Sequence, residues 1–171
     1  YDYGTLANGS FADFTFTLTN TGGVDATALT GTGLAAPFTF AGGSFPGTSG
    51  TCTSTLIPAA TCTVVVRYAP LASGVTNDTM DITYNNGVGP QVSSRQVTGA
   101  GANPALLTIS NGPTYNFGLV ANGGSASFVF TITNSGSVSA TALSEIGLAA
   151  PFSFLGGTYP GTGGTCGVTL G

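Results

Sequence analysis

The sequence predicts an all-β protein made of tandem immunoglobulin-like Greek-key β-sandwich modules, and three observations carry that prediction. Short runs of β-branched and aromatic residues alternate apolar with polar positions, glycine-rich turn signals separate the runs, and the pattern recurs with a 114-residue period. No segment shows helical spacing of apolar residues between capping signals.

Alternation assigns the strands. Phe14, Phe16 and Leu18 point inward while Thr15, Thr17 and Thr19 face out, because successive side chains leave opposite faces of a strand. Cys62, Val64, Val66 and Tyr68 make a second inward set, and Met80, Ile82 and Tyr84 a third. Turn chemistry separates them: Asn20-Thr21-Gly22-Gly23, Gly42-Gly43, Pro46-Gly47, Asn85-Asn86-Gly87 and Gly99-Ala100-Gly101. About seven or eight short strands per unit fit a two-sheet sandwich.

The repeat sets the organisation. Tyr3-Gly4-Thr5-Leu6-Ala7-Asn8-Gly9 returns as Phe117-Gly118-Leu119-Val120-Ala121-Asn122-Gly123, and Gly33-Leu34-Ala35-Ala36-Pro37-Phe38 as Gly147-Leu148-Ala149-Ala150-Pro151-Phe152. Residues 3–57 align with 117–171 without a gap, identical at 33 of 55 positions. The expected domains are residues 1–103, a first immunoglobulin-like repeat lacking its first strand, and residues 104–171, the N-terminal half of a second. The second unit begins near Pro104 with a predicted strand, Ala105-Leu106-Leu107-Thr108-Ile109-Ser110, that has no counterpart before Tyr1. Two readings of the ends stay open at this point: a window in a longer repetitive polypeptide, or true ends whose absent strands come from neighbouring chains by strand addition.

Composition excludes several function classes. Charged residues are 5% of the chain, against about a quarter in ordinary globular domains. With 42% apolar residues a core is expected and solvated disorder is not. Only Arg67 and Arg95 oppose six acidic side chains, for a net charge of −4, so no cationic surface exists to neutralise nucleic-acid phosphates or anionic lipid. No apolar run reaches the roughly 18 residues of a membrane span, and no charged leader followed by an apolar stretch opens the chain.

Three cysteines point to an oxidising compartment. Cys52 and Cys62 flank a short connection and are the expected disulfide, with a pair of buried free thiols as the alternative. Cys166 is the counterpart of Cys52, and its partner is expected outside the chain. Two cysteines with nine residues between them and no histidine do not make a zinc site.

Little else suggests chemistry. The chain has no histidine and no lysine, so its serines and threonines lack the usual activating base. Asp78 and Asp81 are expected on opposite strand faces and solvated. Asp2, Asp25 and Asn77-Asp78 offer oxygen ligands without a calcium-loop pattern. Neither cofactor nor metal is expected, and the chain is not expected to be an enzyme. Asn8-Gly9-Ser10 and Asn77-Asp78-Thr79 match the glycosylation acceptor triplet, which chance also produces in so Asn-, Ser- and Thr-rich a chain.

The run Phe14-Thr15-Phe16-Thr17-Leu18-Thr19-Asn20-Thr21-Gly22, followed by Thr51-Cys52 and Cys62-Thr63-Val64-Val65-Val66-Arg67-Tyr68-Ala69-Pro70, resembles bacterial choice-of-anchor D repeats. These are similar to the wider ASPM–SPD-2–Hydin and major-sperm-protein-like immunoglobulin domains. The resemblance spans nearly the whole chain and implies an immunoglobulin-like fold in large secreted or surface-anchored proteins, with no catalytic residues to carry over.

The outward strand positions are Thr and Ser, without the Lys, Pro or inward charge that guard exposed sheet edges. The expected function is therefore a structural module of an extracellular or cell-surface protein, packing into a filament, sheath or array with copies of itself or adjacent repeats. An adhesin-type module binding a glycan or protein is the alternative. Its candidate contacts are Phe45 and Tyr159, which sit in matching glycine-rich loops as exposed anchors or as plugs of the sandwich end.

Overall fold

Strand pairing in the computed structural model, which describes residues 1–171, divides the chain into two units, Tyr1–Asn103 and Pro104–Gly171. In the first unit the strands are β1 (Asp2–Ala7), β2 (Ala12–Thr19), β3 (Ala26–Thr32), β4 (Phe38–Phe40), β5 (Thr55–Leu56), β6 (Thr61–Tyr68), β7 (Gly74–Asn85) and β8 (Pro90–Ala102). They form two sheets, one ordered β1-β8-β7-β3-β5 and the other β2-β6-β4. Up to β7 each strand lies in the opposite sheet from the one before it, and β7 and β8 close as a hairpin. β1 runs parallel to β8 while the other pairs are antiparallel. This is an immunoglobulin-like β-sandwich.

β6 organises the second sheet. It pairs with β2 along its whole length, Ala12 opposite Tyr68 through Thr19 opposite Thr61, and with β4 on its other side. Cys62, Val64, Val66 and Tyr68 are buried, as alternation predicts, but so is Val65 on the other face. The reason lies in the loop after β4. Pro46 accepts a hydrogen bond from the Val65 N–H at 2.8 Å, and a Cβ added at Gly47 would strike the Val65 carbonyl. Loop 44–47 therefore lies over β6 and covers a residue that alternation alone assigns to solvent.

The core fills the space between the sheets. One cluster joins Leu29, Phe40, Leu56, Val64, Val66, Met80 and Ile82 with the two cysteines, and Tyr84 packs against it. A second joins Phe38, Tyr68 and Val97, with the Phe38 and Tyr68 rings stacked at 4.7 Å. Tyr3 of β1 links the sheets by donating its hydroxyl to the Val66 carbonyl at 2.7 Å. Burial first, then the neighbouring Tyr1 and Asp13, pushes that hydroxyl well above the ordinary phenol range. The β7–β8 turn is closed by Asn86, whose side chain accepts the N–H groups of Val88 and Gly89 at 3.0 Å each.

The second unit holds less strand than its sequence predicts. β9 (Leu107–Ile109) pairs antiparallel with β10 (Ile132–Asn134), and β11 (Ala140–Thr141) with β12 (Thr169–Leu170). The strand expected over 105–110 shortens to three residues, and the alternating run 128–134 forms a strand only in its last three. Within residues 104–171 there is no counterpart of β6, so the backbone groups of 128–131 find no ladder on that side.

Candidate functional site

The residues singled out by sequence fall in three places. Cys52 and Cys62 form a disulfide with Cα atoms 4.8 Å apart, buried in the core cluster beside Val64 and Leu56. The bridge ties the segment after the glycine-rich loop to the start of β6. Two threonines brace the same junction, since the Thr51 and Thr63 hydroxyls lie 3.1 Å apart and each hydroxyl accepts the other residue's N–H. Cys166 is a half-buried free thiol.

The glycine-rich loop carries Phe45. Its ring stands edge-on to Phe40 at 5.7 Å and packs against the main core. The same pair closes over Gly31 of β3, where an added Cβ would fall 2.6 Å from the Phe45 ring. Tyr159 repeats the arrangement on Phe154 at 5.6 Å, half-buried, and desolvation together with the neighbouring Cys166 raises its hydroxyl above the ordinary phenol value. In the first unit the loop is therefore closed down on the sandwich end.

The polar residues act as local braces. Asp78 accepts the Ala35 N–H at 2.7 Å and the Thr79 N–H at 2.8 Å, whereas Asp81 accepts the Ser94 hydroxyl at 2.6 Å. Both are half-buried, so the solvated role expected for them is corrected: loop and neighbouring strand groups bond them. Asn8 donates to Ser73 and to Asn103, which engages the nitrogen a glycan would need. Across β2 and β6, Arg67 makes two bonds to Asp13, at 2.7 and 2.8 Å, and its guanidinium lies 3.8 Å above the Phe11 ring. The hydrogen bond and charge of Arg67 hold the Asp13 carboxyl below its usual value. No three acidic or cysteine side chains converge as metal ligands would.

One edge of the second sheet, the outer edge of β2, is unpaired. Asn20 faces β6, donating to the Ala60 carbonyl and accepting from the Ala59 N–H. Alternation therefore turns the backbone groups of Thr17, Thr19 and Thr21 the other way, where the first unit supplies no pairing strand. Behind that edge a slot of about 360 Å³ opens between the sheets, lined by Leu18, Leu29, Leu56 and Tyr84 among others. The lining is mixed, with Thr19, Asn20 and Ser93 beside those apolar groups. Sequence reasoning did not name these residues as a site. In the second unit the equivalent edge, that of β10, pairs with β9.

The fold defines an immunoglobulin-like β-sandwich module. No protein-family model and no curated protein matches the chain. Among solved structures, the chain is similar to the VesB protease of Vibrio cholerae, at 18% identity and TM-score 0.49, over 58% of this chain and 29% of that one. It is also similar to the ASH/PapD-like domain 7 of human CEP192, at 15% identity and TM-score 0.41, over 58% of this chain and 82% of that one. A third is the secreted serine protease VesC of Vibrio cholerae, at 16% identity and TM-score 0.43, over 59% and 21%. These neighbours correct one expectation: two of the three are serine proteases, so the statement that the chain is not an enzyme is withdrawn. The chain spans less than a third of either protease.

Proposed function

We propose that the chain is a structural module of an extracellular or cell-surface tandem-repeat protein, of the choice-of-anchor D type, that assembles by lateral packing or strand addition. The observation that carries this reading is the 114-residue register, in which residues 3–57 and 117–171 are identical at 33 of 55 positions, as in an array of like modules. Two further features support it. The disulfide suits an oxidising compartment, and the outward strand positions are Thr and Ser in a chain without lysine to guard a sheet edge. Rigid, weakly charged sandwiches pack side by side with little electrostatic repulsion.

Electron microscopy of the purified chain at high concentration tests the reading. Ordered filaments, sheets or rings with a regular module spacing are expected. Dispersed single particles at every concentration, with a monomer mass by light scattering, overturn it.

A further inference from the structure

Asparagine precedes glycine at Asn8, Asn86, Asn111 and Asn122, and the first two of these pairs lie in the first unit with opposite surroundings. Such a pair can close on itself. The glycine main-chain nitrogen attacks the asparagine Cγ, and glycine, lacking a Cβ, leaves that approach open. Negative charge then develops on Oδ1, so the donors which that oxygen meets govern the reaction.

At Asn86 the donors are already in place. The residue sits in the turn between β7 and β8, whose pairing runs from Gly74 opposite Gly101 to Asn85 opposite Pro90. Its Oδ1 accepts the Val88 and Gly89 N–H groups at 3.0 Å each, and two main-chain donors on one oxygen are what stabilises an oxyanion in acyl transfer. The Gly87 N–H bonds the Asn85 side-chain oxygen at 2.8 Å, so its release breaks no strand pair. Asn8 has the reverse pattern. Its Nδ2 is held by Ser73 and Asn103 at 3.1 and 3.4 Å, and the Gly9 nitrogen donates to the Pro70 carbonyl at 2.8 Å. The Asn8 Oδ1 is buried and meets no donor, so charge placed on it would stay uncompensated in the interior.

We propose that Asn86 is a self-modification site, at which the Val88 and Gly89 N–H groups promote closure of Asn86 and Gly87 to a cyclic imide, while the same dipeptide at Asn8 is protected. The Gly87 nitrogen gives its proton to hydroxide from solvent and bonds to the Asn86 Cγ. The bond from Cγ to Nδ2 breaks, and Nδ2 takes a proton from water and leaves as ammonia. Water then opens the imide at either carbonyl, giving aspartate or its β-linked isomer. Either product adds one negative charge to a chain whose net charge is −4, and the isomer lengthens the main chain within the turn. The tip of the β7–β8 hairpin thus gains charge as the protein ages.

The test uses the full chain, in which Arg67 and Arg95 are the only trypsin sites and separate the pairs: residues 1–67 carry Asn8, 68–95 carry Asn86 and 96–171 the other two. The folded chain is held at mildly alkaline pH, then unfolded and digested. Mass spectrometry with fragmentation reads amide-to-acid exchange and the β-linked isomer at each asparagine. Asn86 is expected to convert about tenfold or more faster than Asn8. In urea, where neither set of bonds survives, the two are expected to convert at similar rates. Val88→Pro removes one donor at a side chain that is 96% exposed, and is expected to slow Asn86 about tenfold while leaving Asn8 unchanged. Should that variant not fold, the folded and urea-unfolded native chains decide, since folding is expected to hasten Asn86 and to slow Asn8. Equal rates at Asn8 and Asn86 in the folded chain, or slower conversion of Asn86 folded than in urea, overturn the proposal. An unaltered Asn86 rate in folded Val88→Pro overturns the role of the turn donors.

Discussion

Residues 1–57 and 115–171 are close in sequence and alike in local geometry, yet they differ in how much they bury. Gly42 and Gly156 have φ of 79° and 81°, and Gly47 and Gly161 have 89° and 92°. The same loop bond joins Thr48 to Ala41 and Thr162 to Leu155, at 2.6 Å in each. Aromatic contacts match too: Tyr1 stacks on Phe14 at 3.6 Å and Tyr115 on Phe128 at 4.1 Å. Burial does not follow. Phe38 is 1% exposed and its counterpart Phe152 is 55% exposed. The difference is the layer supplied by β6, β7 and β8, which covers Phe38 with Tyr68 and Val97. Turns and adjacent side-chain pairs are short-range objects set by nearby residues, whereas a core needs a second sheet.

The sharpest way to break this comparison is to truncate the paired phenylalanines. Phe38→Ala is expected to cost the first unit about 4 kcal/mol, the usual result of emptying a fully buried aromatic site. Phe152→Ala, at a half-solvated position, is expected to cost under about 1 kcal/mol. Urea melts followed by residue-resolved hydrogen exchange separate the two, and equal losses would mean that burial does not distinguish the units.

Reducing the Cys52–Cys62 bridge is expected to lower the stability of the first unit by about 3 kcal/mol, the loop-entropy value for a closure of this length. Melts with and without reductant measure it. The second unit, whose Cys166 is free, is expected not to respond.

Gly31 and Glu145 occupy equivalent positions, and the Phe40 and Phe45 rings close over Gly31. Gly31→Glu is expected to destabilise the first unit by about 2 kcal/mol through overpacking, and to increase the solvent exposure of Phe45. Thermal melts report the first and the Phe45 ring resonances in NMR spectra the second. A neutral result would show that the loop lifts at little cost.

The smallest effect is that of the Asp13–Arg67 pair, for which the second unit has no counterpart because Ser127 stands in the place of Asp13. Arg67 lowers the Asp13 carboxyl. The folded state therefore binds that proton less readily than the unfolded chain, and the pair's contribution is present above the ordinary carboxylate value and is lost as the pH falls through the depressed one. Asp13→Asn is expected to flatten this acid-side slope and to shift the neutral-pH midpoint only slightly, since the pair is partly exposed.

Much of the fold was legible from residue pattern. Alternation marked the inward faces of β2, β6 and β7, because period two is a property of the strand itself. The expectation that Val65 faces solvent gave way to loop 44–47, a neighbour distant from it in sequence. The strand expected over 105–110 shortened because a strand exists only with a partner. The place of β2 at the edge of its sheet was harder to see, because threonine at 17, 19 and 21 looks like any sheet surface and only the pairing of the whole sheet orders the strands.

The sequence by itself determined the all-β class, the 114-residue register, the loop conformations and the spacing of the cysteines, because each depends on residues a few positions apart or on identity between copies. The tertiary structure alone decided which phenylalanines are buried, why Val65 is covered, where Phe45 lies and which strands lie beside one another in each sheet. Those properties belong to sheets assembled from segments up to 95 residues apart, as the Tyr1 amino group bonding the Gln96 carbonyl illustrates, and no local pattern encodes which strand will lie beside another.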